Sequence, residues 1–273
     1  MRVAEPVAES WKAFLALEFA PRSGKTILSG KRHDGPLVVQ KPFYPEGDPV
    51  CHAIVVHPPG GIAGGDELEL QASVARGAHG LLTTPGAAKW YRSAGPWARQ
   101  HLSFSVAGSL EWLPQETIVF DRALARMESR IELAAGARYL GWEILCLGRR
   151  GSGETLAHGN VHLSSRISRN GKLLWLERGT VEGGGRLMRS PAGLAGRSVC
   201  GTLVCCGEEL DASLLPVCRS VPGIAATLLP GVLVARYLGD SSEEAKRLFV
   251  RLWRAIRPRL FGREASEPRI WRT

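Results

Sequence analysis

Four carboxylates stand where they could bind a cation inside the protein. Glu143 and Glu177 each lie within a strongly apolar run, LGWEILCLG and LLWLERG. Glu46 follows an aromatic-proline turn, FYPEG, and Asp66 closes a glycine-rich loop. Carboxylate oxygens without nearby thiols hold a divalent cation weakly, which suits transit better than storage. The alternative for each residue is an ordinary strand carboxylate that faces solvent.

The glycine-rich loop, HPPGGIAGGD, runs from His57 to Asp66 between two strand-like segments. Its prolines restrict φ and its glycines open backbone angles that other residues avoid, so the loop has a defined shape. A phosphate-binding loop would end in Lys-Ser/Thr or open a helix, whereas this loop ends in two carboxylates and a strand. We predict a tight structural corner formed by Gly60, Gly61, Gly64 and Gly65.

The motifs of nucleophilic and zinc enzymes are missing from the sequence. It contains no G-x-S-x-G, H-E-x-x-H or C-x-x-C pattern. The six cysteines lie mostly in apolar, strand-like runs, which predicts buried, reduced thiols rather than a disulfide framework. We therefore predict neither a tight metal site nor a tightly bound cofactor.

The composition is that of an ordinary globular protein. Its 273 residues are 44% apolar and 22% charged, and no break in composition divides them, so we predict a single domain over residues 1–273. No apolar run is long enough for a membrane span, and charges interrupt the N-terminal segment, so we expect a cytoplasmic protein. The net charge of +9 comes from scattered arginines, which suits docking to acidic proteins as well as binding to nucleic acid.

Most of the chain reads as short strands joined by Gly, Pro and Asn turns, so the predicted fold class is mainly β. Asn170-Gly171 between two alternating segments is a strong hairpin signal. A weak repeat pairs a turn glycine with a following strand at Gly77, Gly108 and Gly136, which are 31 and 28 residues apart. This spacing indicates many short strands in a stacked, helical arrangement of β-units.

One small helical element is predicted near the C-terminus. Ser241 stands three residues before Glu244, which is a capping box, and an apolar face follows that includes Leu248 and Leu252. We predict that Pro258 ends this helix. A second short helix is expected between residues 216 and 228.

Taken together, several blocks of this sequence resemble the UreD (UreH) family of urease accessory proteins. They span most of the chain, from about Thr26 to Trp271, and they combine unusual placements of Trp, Pro and Gly. The blocks are GPLVVQKPFYPEG, CHAIVVHPPGGIAGGDELEL, LLTTPGAAKWYRS, LEWLPQETIVFD, YLGWEILCLGR and the terminal RPRLFGREASEPRIW.

The resemblance implies a β-rich scaffold without enzymatic activity. Such a protein would bind apo-urease and recruit UreF and, through it, the GTPase UreG, which carries nickel. It would pass transient Ni²⁺ through an internal polar passage towards the urease active site, where a carbamylated lysine bridges two nickel ions. Neither a nucleic acid nor a membrane is implied as a partner.

Roles are carried over only to residues inside the matching blocks or near them. The candidates for the nickel passage are Glu46, Asp66, Glu143, Glu177, Thr83 and Thr84. The candidates for partner binding are Gln115, Glu116, Trp253, Arg257, Arg259 and Trp271. Two alternatives stay open: a metal-dependent hydrolase that uses the same carboxylates, and a nucleic-acid-binding β-protein with a continuous basic face.

Overall fold

The computed structural model describes residues 10–272, and most of these residues form strands. The strands alternate buried and exposed side chains, as expected for sheets that bury one or both faces. In chain order the strands are β1 (Lys12–Arg22), β2 (Lys25–Asp34), β3 (Val38–Val39), β4 (Cys51–Val56), β5 (Glu67–Val74), β6 (His79–Thr83), β7 (Ala88–Trp90), β8 (Ala98–Val106), β9 (Ser109–Leu113), β10 (Thr117–Val119), β11 (Leu124–Leu133), β12 (Arg138–Leu147), β13 (Asn160–Arg169), β14 (Lys172–Glu182), β15 (Val199–Cys206), β16 (Ile224–Leu229) and β17 (Val232–Gly239). The α-helices are α1 (Arg186–Arg189), α2 (Leu214–Arg219) and α3 (Ser242–Phe261).

Within the described residues the strands form two sheets that face each other. The seven-stranded sheet has the order β14-β13-β11-β8-β5-β1-β2. The ten-stranded sheet has the order β16-β17-β15-β12-β9-β6-β4-β3, with β10 and β7 attached beside β12. The predicted fold class, mainly β with many short strands in more than one sheet, is confirmed.

The middle of the molecule is a coil of parallel strands that alternates between the sheets. The chain passes from β5 to β6, from β8 to β9 and from β11 to β12, each time crossing from the seven-stranded to the ten-stranded sheet. The repeated glycines Gly77, Gly108 and Gly136 stand at these three crossings. Gly77 and Gly136 adopt φ of +80° and +74°, and a Cβ on Gly108 would lie 2.3 Å from a backbone oxygen of Ala78. The predicted stacking of β-units is thus observed.

Antiparallel strands border the parallel coil. β13 and β14 form the predicted hairpin, and Asn170 and Gly171 both have positive φ, as the mirror-image turn of a tight hairpin requires. At the ten-stranded sheet, β15 and β17 pair antiparallel with their neighbours and β16 forms the edge. Antiparallel strands therefore extend both sheets beyond the parallel coil: β13 and β14 in the seven-stranded sheet, and β15, β17 and β16 in the ten-stranded sheet.

The ten-stranded sheet is buried on both faces. In β12, Tyr139, Leu145 and Leu147 pack into the core between the two sheets. The alternate residues Leu140 and Trp142 pack into a second core beneath α2 and α3. The molecule therefore has three layers, namely sheet, sheet and helix, and the parity of a residue in β12 decides which core it enters.

The helix α3 begins where the capping box predicts, since the Ser241 hydroxyl accepts a hydrogen bond from the Glu244 amide at 3.1 Å. The prediction that Pro258 ends the helix is wrong. The helix continues to Phe261 because Leu260 and Phe261 are buried, and Gly262 then caps it with φ of +69°. No helix in the part of the chain that the structure describes is long and apolar enough to cross a membrane.

Candidate functional site

A cavity of about 720 Å³ lies between the two sheets. Most of its wall is apolar and comes from inward-facing side chains such as Leu70, Phe104 and Ile131 of the seven-stranded sheet and Val204 of the ten-stranded sheet. We call this space the interlayer cavity. Because the wall is mostly apolar, its few polar side chains determine which polar or charged ligands the cavity can bind.

Strand register brings a row of polar side chains together in the interlayer cavity. On the ten-stranded sheet, Glu143 of β12 pairs with Thr202 of β15, which pairs with Arg236 of β17. On the facing sheet, Ser165 of β13 pairs with Glu177 of β14. All five residues line the cavity. Two of the candidate carboxylates, Glu143 and Glu177, therefore reach one space from opposite sheets.

The two carboxylates differ in their surroundings. The Glu177 carboxylate accepts a hydrogen bond from the Arg236 guanidinium at 2.7 Å, and the same nitrogen donates to the Thr202 hydroxyl at 3.1 Å. Glu143 has free surface towards the cavity but is surrounded by protein, and this burial raises its pKa to about 7, with the charge of Glu177 adding to the effect. The pKa of Glu143 therefore lies above the ordinary value of a glutamate, whereas Glu177 is paired with a cation.

The glycine loop forms one end of the interlayer cavity. Gly60 and Gly61 line it, and a Cβ on Gly61 would lie 2.1 Å from the Tyr91 ring, so any larger residue there would require Tyr91 to move. His57 also lines the cavity, and burial lowers its pKa. Its Nε2 is buried and has no hydrogen-bond partner within residues 10–272. Burial therefore favours the neutral imidazole, and its unpaired Nε2 is enclosed by protein.

Asp66 closes the loop instead of lining the cavity. Its carboxylate accepts hydrogen bonds from the amides of Trp11 at 2.8 Å and Ala63 at 2.7 Å. Gly65 adopts φ of +96°, and a Cβ on Gly64 would lie 2.3 Å from the Ser93 hydroxyl. The structure thus gives Asp66 and these glycines a part in shaping the corner, and it places Asp66 away from Glu143 and Glu177.

On the opposite face of the ten-stranded sheet, the core beneath α3 contains a network of buried charges, the Arg257 cluster. The Arg257 guanidinium of α3 donates to Glu46 at 2.6 and 2.8 Å and to Glu111 at 3.1 Å. His52 lies 2.6 Å from Glu46, and His79 lies 2.8 Å from Glu111. Both side chains of each of these pairs are less than 10% exposed.

The Arg257 cluster keeps its carboxylates ionised. Burial opposes ionisation of Glu111, but the hydrogen bond and charge of His79 and the charge of Arg257 outweigh it and lower the pKa of Glu111. The pKa of Glu46 is lowered in the same way by His52 and Arg257. The cluster holds α3 on the sheet through charged hydrogen bonds that water does not reach.

The interlayer cavity therefore does not include every candidate for the passage. Glu46 belongs to the Arg257 cluster, and Thr83 is buried on the helical side, where it donates to the Leu113 carbonyl and accepts from the Trp271 indole at 2.8 Å. Thr84 lines the cavity near its rim. Glu46, Asp66 and Thr83 therefore lie outside the interlayer cavity, and strand parity turns Thr83 to the other face. Their part in a nickel passage stays a prediction.

The candidates for partner binding are also divided. Trp253 and Arg257 are wholly buried, which contradicts their prediction as a docking surface: they form the inner face of α3. Trp271 packs against Trp142 and Trp253, with ring centroids 5.8 Å apart in both pairs. The Arg259 side chain remains 39% exposed, beside Asp211.

Gln115 and Glu116 lie where the cavity approaches the helical layer. Gln115 lines the cavity and accepts a hydrogen bond from Lys246 of α3. Burial lowers the pKa of Lys246 to about 8, and the charge of Glu116 opposes this effect. Gln115 therefore contacts α3 within the chain, and Glu116 acts on Lys246 of α3 through its charge.

Sequence reasoning missed Arg236 and Glu111. Each is a single charge inside an apolar strand, VLVARYLG and SLEWL, which is the same signal that singled out Glu143. His52 and His79 carry no such signal: Glu46 is six residues from His52 but lies in a loop, and Glu111 is 32 residues from His79. Within residues 10–272 no group of three or more His, Cys, Asp or Glu side chains is arranged to hold a metal ion.

Comparison with known proteins now identifies the family. The model of the UreD urease accessory protein family matches residues 12–272 of this chain. The chain belongs to the UreD family. It is 53% identical to the urease accessory protein UreD of Dechloromonas aromatica (strain RCB) over 274 residues, which cover 97% of this chain and 95% of the relative.

Other UreD proteins match over similar lengths. The urease accessory protein UreD of Azoarcus sp. (strain BH72) is 50% identical over 279 residues, covering 100% of this chain and 98% of the relative. The urease accessory protein UreD of Pseudomonas aeruginosa, strain PAO1, is 48% identical over 270 residues, which cover 97% of this chain and 96% of the relative. The family match includes both sheets, the interlayer cavity and α3, so the site described above lies within the shared UreD region.

Replacing Arg257 by Met should destabilise the protein by about 3–5 kcal/mol, because two buried carboxylates lose their cation. Arg259→Met is the control, and since that side chain is partly exposed its loss should be at most about 1 kcal/mol. Urea denaturation at pH 7 measures both. As the pH falls and the two glutamates become protonated, the difference in unfolding free energy between variant and wild type should narrow, because the wild type loses the stability that comes from their lowered pKa values. Equal losses for the two variants would contradict the structural role of the cluster.

Glu143→Gln should make the protein more stable than wild type at pH 8 but not at pH 4. The pKa of Glu143 rises on folding from 4.5 to about 7, so ionisation opposes folding increasingly as the pH rises through this range. Glutamine cannot ionise, so the variant does not lose folding stability as the pH rises. Urea midpoints across this pH range test the prediction, with Glu67→Gln on the outer face of the seven-stranded sheet as control. Parallel profiles for wild type and Glu143→Gln would show that Glu143 does not titrate abnormally.

Proposed function

We propose that this chain is a non-catalytic maturation factor for urease, which conducts Ni²⁺ through the interlayer cavity towards apo-urease. The single observation that carries the proposal is the convergence of Glu143 and Glu177 from opposite sheets in that cavity. Membership of a family of urease accessory proteins supports the connection to urease. We place the protein in the cytoplasm, where it would meet the other maturation proteins.

The residues of the cavity fit a transient cation better than a resident one. Two carboxylates from facing walls, with the hydroxyls of Ser165 and Thr202 nearby, supply oxygen ligands. Oxygen ligands of this kind bind nickel less strongly than a set of imidazoles or thiolates would. Weak binding at successive oxygen ligands allows a cation to leave each site and move on through the cavity.

The proposed partners are apo-urease, UreF and, through UreF, the GTPase UreG. The net charge of +9 favours docking to acidic protein surfaces and accelerates their encounter. Since Trp253 and Arg257 are buried, a partner that approaches α3 would meet its outer face, where Arg259 is partly exposed. The passage would then open towards the partner at one end of the coil.

The hydrolase alternative receives less support from the geometry. A hydrolytic metal centre needs three or more converging protein ligands and an open position. In the interlayer cavity one of the two carboxylates is already bonded to Arg236, and within residues 10–272 no cluster of three ligands exists. The nucleic-acid alternative is also not favoured, because the outer face of the seven-stranded sheet mixes Glu67 and Glu128 with Arg99.

Co-expression with the UreF, UreG and urease subunits of the same source tests the proposal. We expect urease to acquire nickel only when this chain is present, and a pull-down to retain the partners. The variant that combines Glu143→Gln and Glu177→Gln should still be retained, whereas urease nickel should fall towards the level without the chain. The control combines Glu67→Gln and Glu128→Gln on the outer face and should leave nickel content unchanged. Full nickel loading by the cavity variant would refute the passage.

A further inference from the structure

An arginine inside a passage for cations requires an explanation. Arg236 is not demanded by the packing of β17, whose neighbouring residues Val234 and Ala235 are small and buried. Its guanidinium lies over Thr202, the residue that separates Arg236 from Glu143 in the sheet, and reaches across to Glu177 of the opposite sheet. The positive charge of Arg236 is therefore bound to Glu177, one of the two carboxylates of the proposed passage.

The position of Arg236 affects any cation that enters. A guanidinium held 2.7 Å from Glu177 neutralises that carboxylate and opposes the approach of a second cation to it. A divalent cation can bind both carboxylates only if the guanidinium moves away from Glu177. Because an ion with two charges neutralises both carboxylates, it compensates for the lost ion pair, whereas a monovalent ion leaves one carboxylate unpaired.

We propose, on the basis of the proposed passage, that Arg236 is a gate which a divalent cation opens by replacing its guanidinium at Glu177. In the closed state Arg236 is paired with Glu177, and in the open state the cation binds Glu177 and Glu143. One ion pair breaks in the exchange, and the cation gains two carboxylate ligands. The gate thus selects against monovalent cations and keeps the cavity closed when no metal is delivered.

The structure supplies a place for the displaced guanidinium. The Trp175 ring of β14 lies 5.9 Å from the Arg236 guanidinium carbon, close enough for a favourable interaction between the cation and the aromatic face. The Arg236 side chain is 45% exposed, so it has space in which to move. Arg257, by contrast, is wholly buried and bonded to two carboxylates, and therefore has no such freedom.

Calorimetric titration of the purified full chain with Ni²⁺ tests the gate. Arg236→Gln should bind Ni²⁺ about tenfold more tightly than wild type, because the competing charge is gone while a hydrogen bond to Thr202 remains possible. Arg236→Lys keeps the charge and should bind about as wild type does. Arg166→Gln, on the outer face of the seven-stranded sheet, should have no effect. Adding Glu143→Gln to Arg236→Gln should cancel the gain.

The outcomes separate failure of the gate from failure of the passage. If Glu143→Gln and Glu177→Gln weaken Ni²⁺ binding but Arg236→Gln leaves it unchanged, the gate is wrong and the passage stands. If none of these variants alters binding, both are wrong. Equally tight binding by Arg236→Gln and Arg236→Lys would also overturn the gate, because the effect would then not depend on charge. Circular dichroism checks that each variant is folded, so that differences in Ni²⁺ affinity do not come from unfolding.

Discussion

Placing carboxylates between packed layers is the constraint on which the rest of this structure depends. A carboxylate removed from water must find a cation or hydrogen-bond donors, or its pKa rises until it is neutral. The protein uses each of these solutions. Arg257 pairs with Glu46 and Glu111 on the helical side, Arg236 pairs with Glu177 in the interlayer cavity, and the pKa of Glu143 is raised to about 7.

The two arginines illustrate how burial changes the consequence of the same pairing. Arg257 is enclosed and bonded on several sides, so its ion pairs fix α3 to the ten-stranded sheet. Arg236 contacts one carboxylate and one hydroxyl at the edge of a cavity and retains exposed surface. The ion pairs of Arg257 stabilise the packing of α3, whereas Arg236 can exchange its partner. The two arginines lie on opposite faces of the ten-stranded sheet, each of which packs against a different core.

The sequence was sufficient for the family resemblance, the mainly β fold, the Asn170-Gly171 hairpin and the start of α3, because each depends on local spacing or local hydrogen bonds. The end of α3 was not predictable from Pro258, since burial of Phe261 outweighs the local preference of proline. The pair Glu143 and Glu177 could be recognised as charges within apolar runs, yet their convergence depends on strand register between two sheets.

Other parts of the site required the tertiary structure for the same reason. Glu46 reaches Arg257 from 211 residues away, and no periodicity in the sequence encodes that contact. Thr83 and Thr84 are adjacent in sequence but serve different layers: Thr83, the last residue of β6, contacts the helical side, whereas Thr84 follows the strand and lines the interlayer cavity. Membership of the UreD family relates the chain to urease. The geometry adds that Glu143 and Glu177 line the same cavity from opposite sheets.

X-ray diffraction at the nickel absorption edge, from crystals of the chain soaked in Ni²⁺, would locate the cation directly. The passage and its gate predict an anomalous peak in the interlayer cavity, within bonding distance of Glu143 and Glu177, with the Arg236 guanidinium withdrawn from Glu177. Peaks confined to histidines on the molecular surface, with the ion pair between Glu177 and Arg236 intact, would contradict the proposed route.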